Sequence, residues 1–288
     1  VTTESVRIDE RTHKVTQIRP AMGSFVSITT LHPSQGLAEH AIGVAFEEMD
    51  RLIGLLNRFD SSSPLSHLND AGRIAAPPPE LAEVVARALD FGRLTTGAFD
   101  VTVKPIIDLF RDPLTYQALA PPDEATLREA LELVGAEHVV VDGHDVRLER
   151  SGMGLTRDGI AKGYVVDGIA AALQAEGAMS FLVNAGGDIR THGNRGDESP
   201  WTIAVRDPDD SAASWESDAW DRAVVPDTLQ LTDGAVATSG SYEVYFDNER
   251  LSHHIVHGHT GCSPNETTSV TVTAPTTMQA DALATAVQ

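Results

Sequence analysis

Basic residues are scarce in this chain. Lysine occurs only at positions 14, 104 and 162, and 21 lysines and arginines face 42 aspartates and glutamates, a formal net charge of −21. A nucleic-acid binder presents a basic patch or stripe, and none is found, so that class of partner is excluded. An acidic excess of this size favours solubility through self-repulsion and reads as a solvated acidic surface. Cysteine is nearly absent: Cys262 stands alone, which excludes an intrachain disulfide. It follows Gly261 in a turn-like stretch without the neighbours of a nucleophile, and is read as incidental. No apolar run approaches the roughly 18 residues of a membrane-spanning helix. No basic segment followed by an apolar one opens the chain, which begins at Val1. The visible sequence suggests the cytoplasm, with an extracytoplasmic place after loss of a leader as the alternative. There is no low-complexity tract and no short-period repeat.

What is present suffices for one large core or two fused subdomains: 288 residues, 41% hydrophobic, with 23 glycines and 15 prolines marking many turns. Residues 1–20 read as polar, frayed or edge-like. Phe25–Thr30 reads as a strand. The spacing of Leu37, Ala41, Val44, Ala45, Met49, Leu52, Ile53 and Leu56 predicts an amphipathic helix. The stretch 58–69 reads as a polar turn. A helix follows the prolines at 77–79 and runs to Leu94. Asp123 is a plausible N-cap for a helix ending near Gly135, and 138–149 is a hairpin around Asp142-Gly143. A helix opens at 159–163 and stops at Gly177. Strands are expected at 181–183, 202–205, 230–231, 236–238 and 269–273, with a hairpin over 242–256. A final helix, capped by Thr276 or Thr277, covers 278–287. Helices interspersed with antiparallel hairpins predict an α+β fold in a single domain, 1–288, with 207–227 as a surface insertion.

Several short patterns can carry chemistry. Asp281 and Thr285 are spaced i, i+4, so both face one side of the last helix. Both offer oxygen, which suits a hard cation, although an acid near a helix start also favours the helix dipole by itself. Asp158-Gly-Ile-Ala-Lys-Gly-Tyr164 is a glycine-rich turn running into a helix. Its free N–H groups and Lys162 suit an anion, or it is simply a tight turn. Asn184-Ala-Gly-Gly-Asp188 allows close backbone approach or forms a β-turn. Gly97-Ala-Phe-Asp100 can hold a heterocycle or turn a corner. His253, His254, His257 and His259 suggest a transition metal. On a strand, however, His253 and His254 point to opposite faces, and one catalytic or ligand-binding histidine is favoured.

Taken in order, these patterns resemble the ApbE family, the FAD:protein FMN transferases, over roughly Met22 to Thr285. The series runs Met22-Gly-Ser24; Arg58-Phe59 to Leu65-Ser-His-Leu-Asn69; Gly97-Ala-Phe-Asp-Val-Thr-Val103; Gly159-Ile-Ala-Lys-Gly-Tyr164 with Asp167; Val183-Asn-Ala-Gly-Gly-Asp188; Val236-Ala-Thr-Ser-Gly240; His253-His-Ile255; and Ala280-Asp-Ala-Leu-Ala-Thr285. The resemblance implies fused T-fold-like α+β halves with FAD bound between them and Mg²⁺ at its pyrophosphate. It implies Mg²⁺ ligation by Asp281, Thr285 and the Gly159 carbonyl. Met22, Phe59, Ala98, Phe99, Asp100 and Ile255 would line the flavin or adenine sites, with Lys162 near the phosphates. It further implies transfer of FMN from FAD to a threonine hydroxyl of an acceptor flavoprotein, releasing AMP. His254 is then the candidate for proton transfer or phosphate contact.

This sequence departs from the family pattern at two places. Thr156 stands where the family has an acid that contacts FAD, and Asp158 brings an acid two residues later. His257 stands where an aspartate is usual, exchanging a fixed charge for a titratable one. The competing expectations are hydrolysis of FAD to FMN and AMP, and FAD binding without turnover.

Overall fold

The first strands form where β-branched residues recur among polar ones. A computed structural model of the chain describes residues 2–110, 122–196, 198–205, 227–247 and 251–288. Strand β1 (Thr2–Arg7) pairs antiparallel with β2 (His13–Ala21), and β2 with β3 (Ser24–His32). Met22 and Gly23 join β2 to β3 with φ values of 52° and 74°, the positive pair that a two-residue hairpin turn needs. The amino-terminal residues are therefore an edge, as expected, but a paired and not a frayed one. All six residues of β1 are exposed, so its composition carries no buried face to signal a strand.

Helix α1 (Gln35–Leu56) follows, capped by Ser34. Helix α2 (Pro64–Ala71) lies within the stretch expected to be a turn. Ser63 caps it, Pro64 opens it and Gly72 closes it in the left-handed region. At 8 residues with three buried positions it is too short to show a period. Then come β4 (Arg73–Ala75), α3 (Pro79–Leu94), α4 (Lys104–Phe110) and α5 (Glu124–Leu131), the last capped by Asp123 as expected. The predicted hairpin is β5 (Val139–Val141) and β6 (Asp145–Leu148). Helix α6 (Ala161–Ala175) leads to β7 (Phe181–Ala185) and β8 (Asp188–His192), then β9 (Trp201–Val205), β10 (Asp227–Leu231), β11 (Gly234–Gly240), β12 (Ser269–Ala274) and α7 (Thr277–Val287). Of the expected insertion, 207–226 lie outside the described residues, and Asp227 opens β10.

Seven strands make one antiparallel sheet in the order β1-β2-β3-β7-β8-β11-β12. Helices α1, α6 and α7 cover one face. Alternation along the strands sends Val15, Val26, Ile28, Phe181 and Val183 into a shared core with Ile42, Phe46, Met49, Leu52, Val166, Ile169 and Leu173 of the helices. The antiparallel pair β9 and β10 packs Ile203 against Ile189 and Val236 on the opposite face. The three-stranded sheet β4-β6-β5 adds its own layer. This arrangement of helices and antiparallel strands is the α+β class expected.

The expected hairpin over 242–256 is not a pair of strands. A 3₁₀ turn covers Ser241–Glu243 and a single antiparallel bridge joins Tyr245 to His253, with 248–250 outside the described residues. Side chains replace the ladder here. The Ser263 hydroxyl accepts from the His253 N–H and donates to the His253 carbonyl, both at 2.8 Å.

Candidate active site

Period-2 alternation on β11 points Ala235, Ala237 and Ser239 toward α7. The two alanines are buried against Ala280, and their small side chains let the helix sit close to the sheet. This brings Thr285 of α7 to Ser239, hydroxyl to hydroxyl at 3.2 Å. On the other side of Thr285 lies Gly159, in the turn before α6. With φ at +87°, a Cβ there would stand 2.6 Å from the Thr285 Oγ1. Asp281, one turn earlier on α7 and only 5% exposed, accepts a 2.9 Å bond from the N–H of Gly163 in the first turn of α6. The three residues implied as cation ligands thus meet where α6 begins and α7 passes it.

The donors suit a hard divalent ion. Carboxylate, hydroxyl and carbonyl are all oxygen. Among the described residues, no three His, Cys, Asp or Glu side chains converge on a metal position. The four histidines of the run are thus not gathered around one metal position among the described residues. Lys162, also in the first turn of α6, places its ammonium 3.5 Å from the buried Asp188 carboxylate at the start of β8. That is where a helix N-terminus and a lysine together favour an anion.

A loop organised by three contacts holds this turn. The Asn69 side-chain amide donates to the Leu155 carbonyl at 3.0 Å and accepts from its N–H at 2.7 Å, as a neighbouring strand would. The Thr156 N–H donates to the Val101 carbonyl at 2.8 Å. Arg58, itself largely buried, donates to Asp158 at 2.8 Å. Burial pushes the Asp158 carboxyl up, but the charges of Arg58 and Arg157 outweigh it and hold the group below the usual carboxylate range. The acid two residues past the expected position is thus engaged with Arg58. Thr156 is buried, its hydroxyl accepting from the Asp158 N–H at 3.1 Å, and its side chain shapes the turn.

Among the other proposed flavin contacts, Phe59 presents a half-exposed ring. The Arg58 and Arg157 guanidinium carbons lie 4.3 and 5.5 Å from its centroid. Met22, in its tight turn, packs partly against the core. Ala98 is exposed. Phe99 is a core residue, 2% exposed and set edge-on to Phe91, and its N–H is taken by the Thr95 hydroxyl. Its ring is spent on packing and is not offered to a ligand. Asp100 accepts from the Thr102 N–H and hydroxyl at 2.7 and 2.6 Å. Burial, aided by Glu137, raises its pKa above the usual value against those bonds. Asp100 also lines a cavity of about 640 Å³ with Gly97, Glu137, Gly258 and His259, a size suited to part of a cofactor.

The histidines divide by role. His253 is fully buried; its Nδ1 accepts from the Ile255 N–H at 3.3 Å, so the proton sits on Nε2, which donates to the Pro264 carbonyl at 2.7 Å. His253 is a structural pin, and through it Ile255 is held in place. His254 is half-buried, and its Nδ1 lies 3.3 Å from the Val244 carbonyl. That contact needs the proton on Nδ1. Ser239, Asn69, Arg58 and Gly163 were not singled out from sequence. All four lie inside recognised patterns, which was the available signal, but Arg58 and Gly163 show their roles only through distant partners.

Residues 22–288 match the model of the ApbE family. The chain is 31% identical over 275 residues to a FAD:protein FMN transferase of Vibrio cholerae, covering 92% of this chain and 78% of that protein. It is 29% identical over 237 residues to the protein of the same name from Escherichia coli K12, covering 79% of this chain and 64% of that one. The chain thus spans slightly less than two thirds of the latter. Among solved structures, an ApbE protein of Thermotoga maritima superposes with a TM-score of 0.83 at 31% identity, covering 95% of this chain and 85% of that one. The flavin transferase ApbE of Vibrio cholerae gives 0.80 at 26% identity, covering 99% and 86%.

Proposed function

The chain belongs to the ApbE family, and from that membership we propose that it transfers FMN from FAD to a threonine hydroxyl of an acceptor flavoprotein, with Mg²⁺ bound and AMP released. The observation that carries the reading is the meeting of Gly159, Asp281 and Thr285 at the start of α6, with Lys162 in the same helical turn.

Asp281, Thr285 and the Gly159 carbonyl would hold Mg²⁺. When bound, the ion supplies neutralisation of pyrophosphate charge. The residues of the chain do the rest. Lys162, at the start of α6, binds the phosphates, with the positive end of the helix dipole behind it. Phe59 and Met22 position the ring systems, and the cavity beside Asp100 takes one end of the dinucleotide. The threonine oxygen forms a bond to the FMN-side phosphorus as the bond to the bridging pyrophosphate oxygen breaks. AMP departs with that oxygen, and the hydroxyl proton passes to His254. The product is a phosphoester between FMN and the acceptor.

The test is to incubate the full chain with FAD, Mg²⁺ and a candidate acceptor domain and to measure intact masses. An acceptor heavier by one FMN unit supports transfer. FMN and AMP without an adduct would mean that water takes the place of threonine. FAD retained without turnover would mean binding alone.

A further inference from the structure

Helices α6 and α7 cap one another. An α-helix leaves its first backbone N–H groups without intrahelical partners. In α7 these groups are accounted for in order. The N–H groups of Thr277 and Met278 donate to the two oxygens of Asp167, each at 2.9 Å. That of Gln279 donates to the Thr276 hydroxyl at 3.2 Å. Asp167 belongs to α6, so the start of α7 is tied to the middle of its neighbour. The reverse tie is Gly163 of α6 donating to Asp281 of α7. Between the two ties the backbones nearly touch: a Cβ on Gly163 would stand 2.5 Å from the Thr277 carbonyl oxygen and 2.7 Å from the Met278 N. Arg190 on β8 braces the same corner. Its guanidinium lies 4.0 Å from Asp167 and donates to the Pro275 carbonyl, at the end of β12.

We infer that Asp167 is a positioning residue for the cation site, setting the placement of Asp281 and Thr285 against Gly159 without touching the ion. The inference rests on the Mg²⁺ reading above. The physical reason is leverage. Asp281 and Thr285 lie on α7, within its first two and a half turns, whereas Gly159 lies just before α6. The site exists only while the two helices keep one relative position. A bidentate carboxylate on the two leading N–H groups, favoured also by the helix dipole, fixes α7 along its axis. Apolar packing of Met278 and Ala282 in the core shared with α6 holds the two helices together, and the pair of directional bonds adds the axial placement that non-directional contacts do not set.

The experiment uses the full chain and free Mn²⁺ as a paramagnetic probe, with binding followed by electron paramagnetic resonance and displacement by Mg²⁺. Asp167→Ala is expected to weaken Mn²⁺ binding about tenfold or more, the usual effect of losing a residue that orients ligands. Asp167→Asn should fall between, since its amide keeps one accepting oxygen. Asp123→Ala is the control, removing the cap of α5, where Asp123 accepts from Thr126 at 2.8 Å, a helix that carries no ligand. Its Mn²⁺ affinity should equal that of the unaltered chain. If Asp167→Ala does not fold, Asp167→Asn decides the matter. Unchanged Mn²⁺ affinity in a folded Asp167 variant, or equal weakening in Asp123→Ala, would overturn the inference. Failure of the unaltered chain to bind Mn²⁺ would instead remove the cation site itself, and the inference with it.

Discussion

Gly159→Ala tests the geometry of the site at its narrowest point. Two effects follow from the structure. The first is conformational: at φ +87° an L-residue costs about 1–2 kcal/mol relative to glycine. At about 2 °C per kcal/mol for a chain of 288 residues, the melting temperature should drop by a few degrees. The second is steric. The new Cβ would meet Thr285 at 2.6 Å from Oγ1, 3.0 Å from Cγ2 and 3.1 Å from Cβ, so no rotation of Thr285 clears all three. Thr285 must move with its helix, abandoning its 3.2 Å contact with Ser239. A displacement near 1 Å in a positioned group lowers turnover about a hundredfold. Gly177→Ala separates the two effects. It has φ +81° and nothing within 4 Å, so it should lose the same few degrees and keep its activity. The assay is FMN transfer by intact mass across a Mg²⁺ titration, beside calorimetric melting of both variants. A Gly159→Ala protein with unaltered turnover and Mg²⁺ dependence, or a Gly177→Ala protein equally inactive, would refute the reasoning.

The adjacent histidines should separate cleanly. His253→Ala removes a buried ring bonded to Pro264 and Ile255 and should cost about 2–4 kcal/mol in chemical denaturation. His254→Ala should leave the melting temperature nearly unchanged and lower turnover about 10²–10⁴-fold; the reverse pattern would exchange their roles. Asp100 carries a pH signature. Its folded pKa is raised by burial, so between the unfolded and folded values the native state holds more protons and stability falls as pH rises. Asp100→Asn keeps an oxygen for Thr102 and should be more stable than the unaltered chain at pH 7. Denaturation midpoints against pH should show the gain vanishing below about pH 3.9, the ordinary aspartate value. A gain that persists at low pH would contradict burial of the charge as its source.

Much of the fold was legible because its signals are local. Long amphipathic runs such as 35–56, the caps Asp123 and Thr276, and the Asp142-Gly143 turn all act within a few residues. Elements whose stability comes from elsewhere were missed. Helix α2 has only three buried residues, and β8 is a strand because β7 and β11 flank it. The stretch 242–256 carries a strand-like pattern, but Ser263 and Pro264 satisfy its polar groups in another way.

The site shows the same division. By itself the sequence determined the ordered patterns, the i, i+4 pairing of Asp281 with Thr285, and the oxygen-only character of the donors, because these depend on residue identity and helical period. Only the tertiary structure decided that Asp281 meets Gly163 across 118 positions, that Asp158 meets Arg58 across 100, and that His253 is buried while His254 is half-buried with its Nδ1 against the Val244 carbonyl. It also revealed Asp167 as the tie between the two helices, 110 positions from the N–H it caps. The reason is the range of the forces involved. Helical spacing is set along one chain, whereas a carboxylate's partner is whichever donor the packed sheet and helices bring within 3 Å of it.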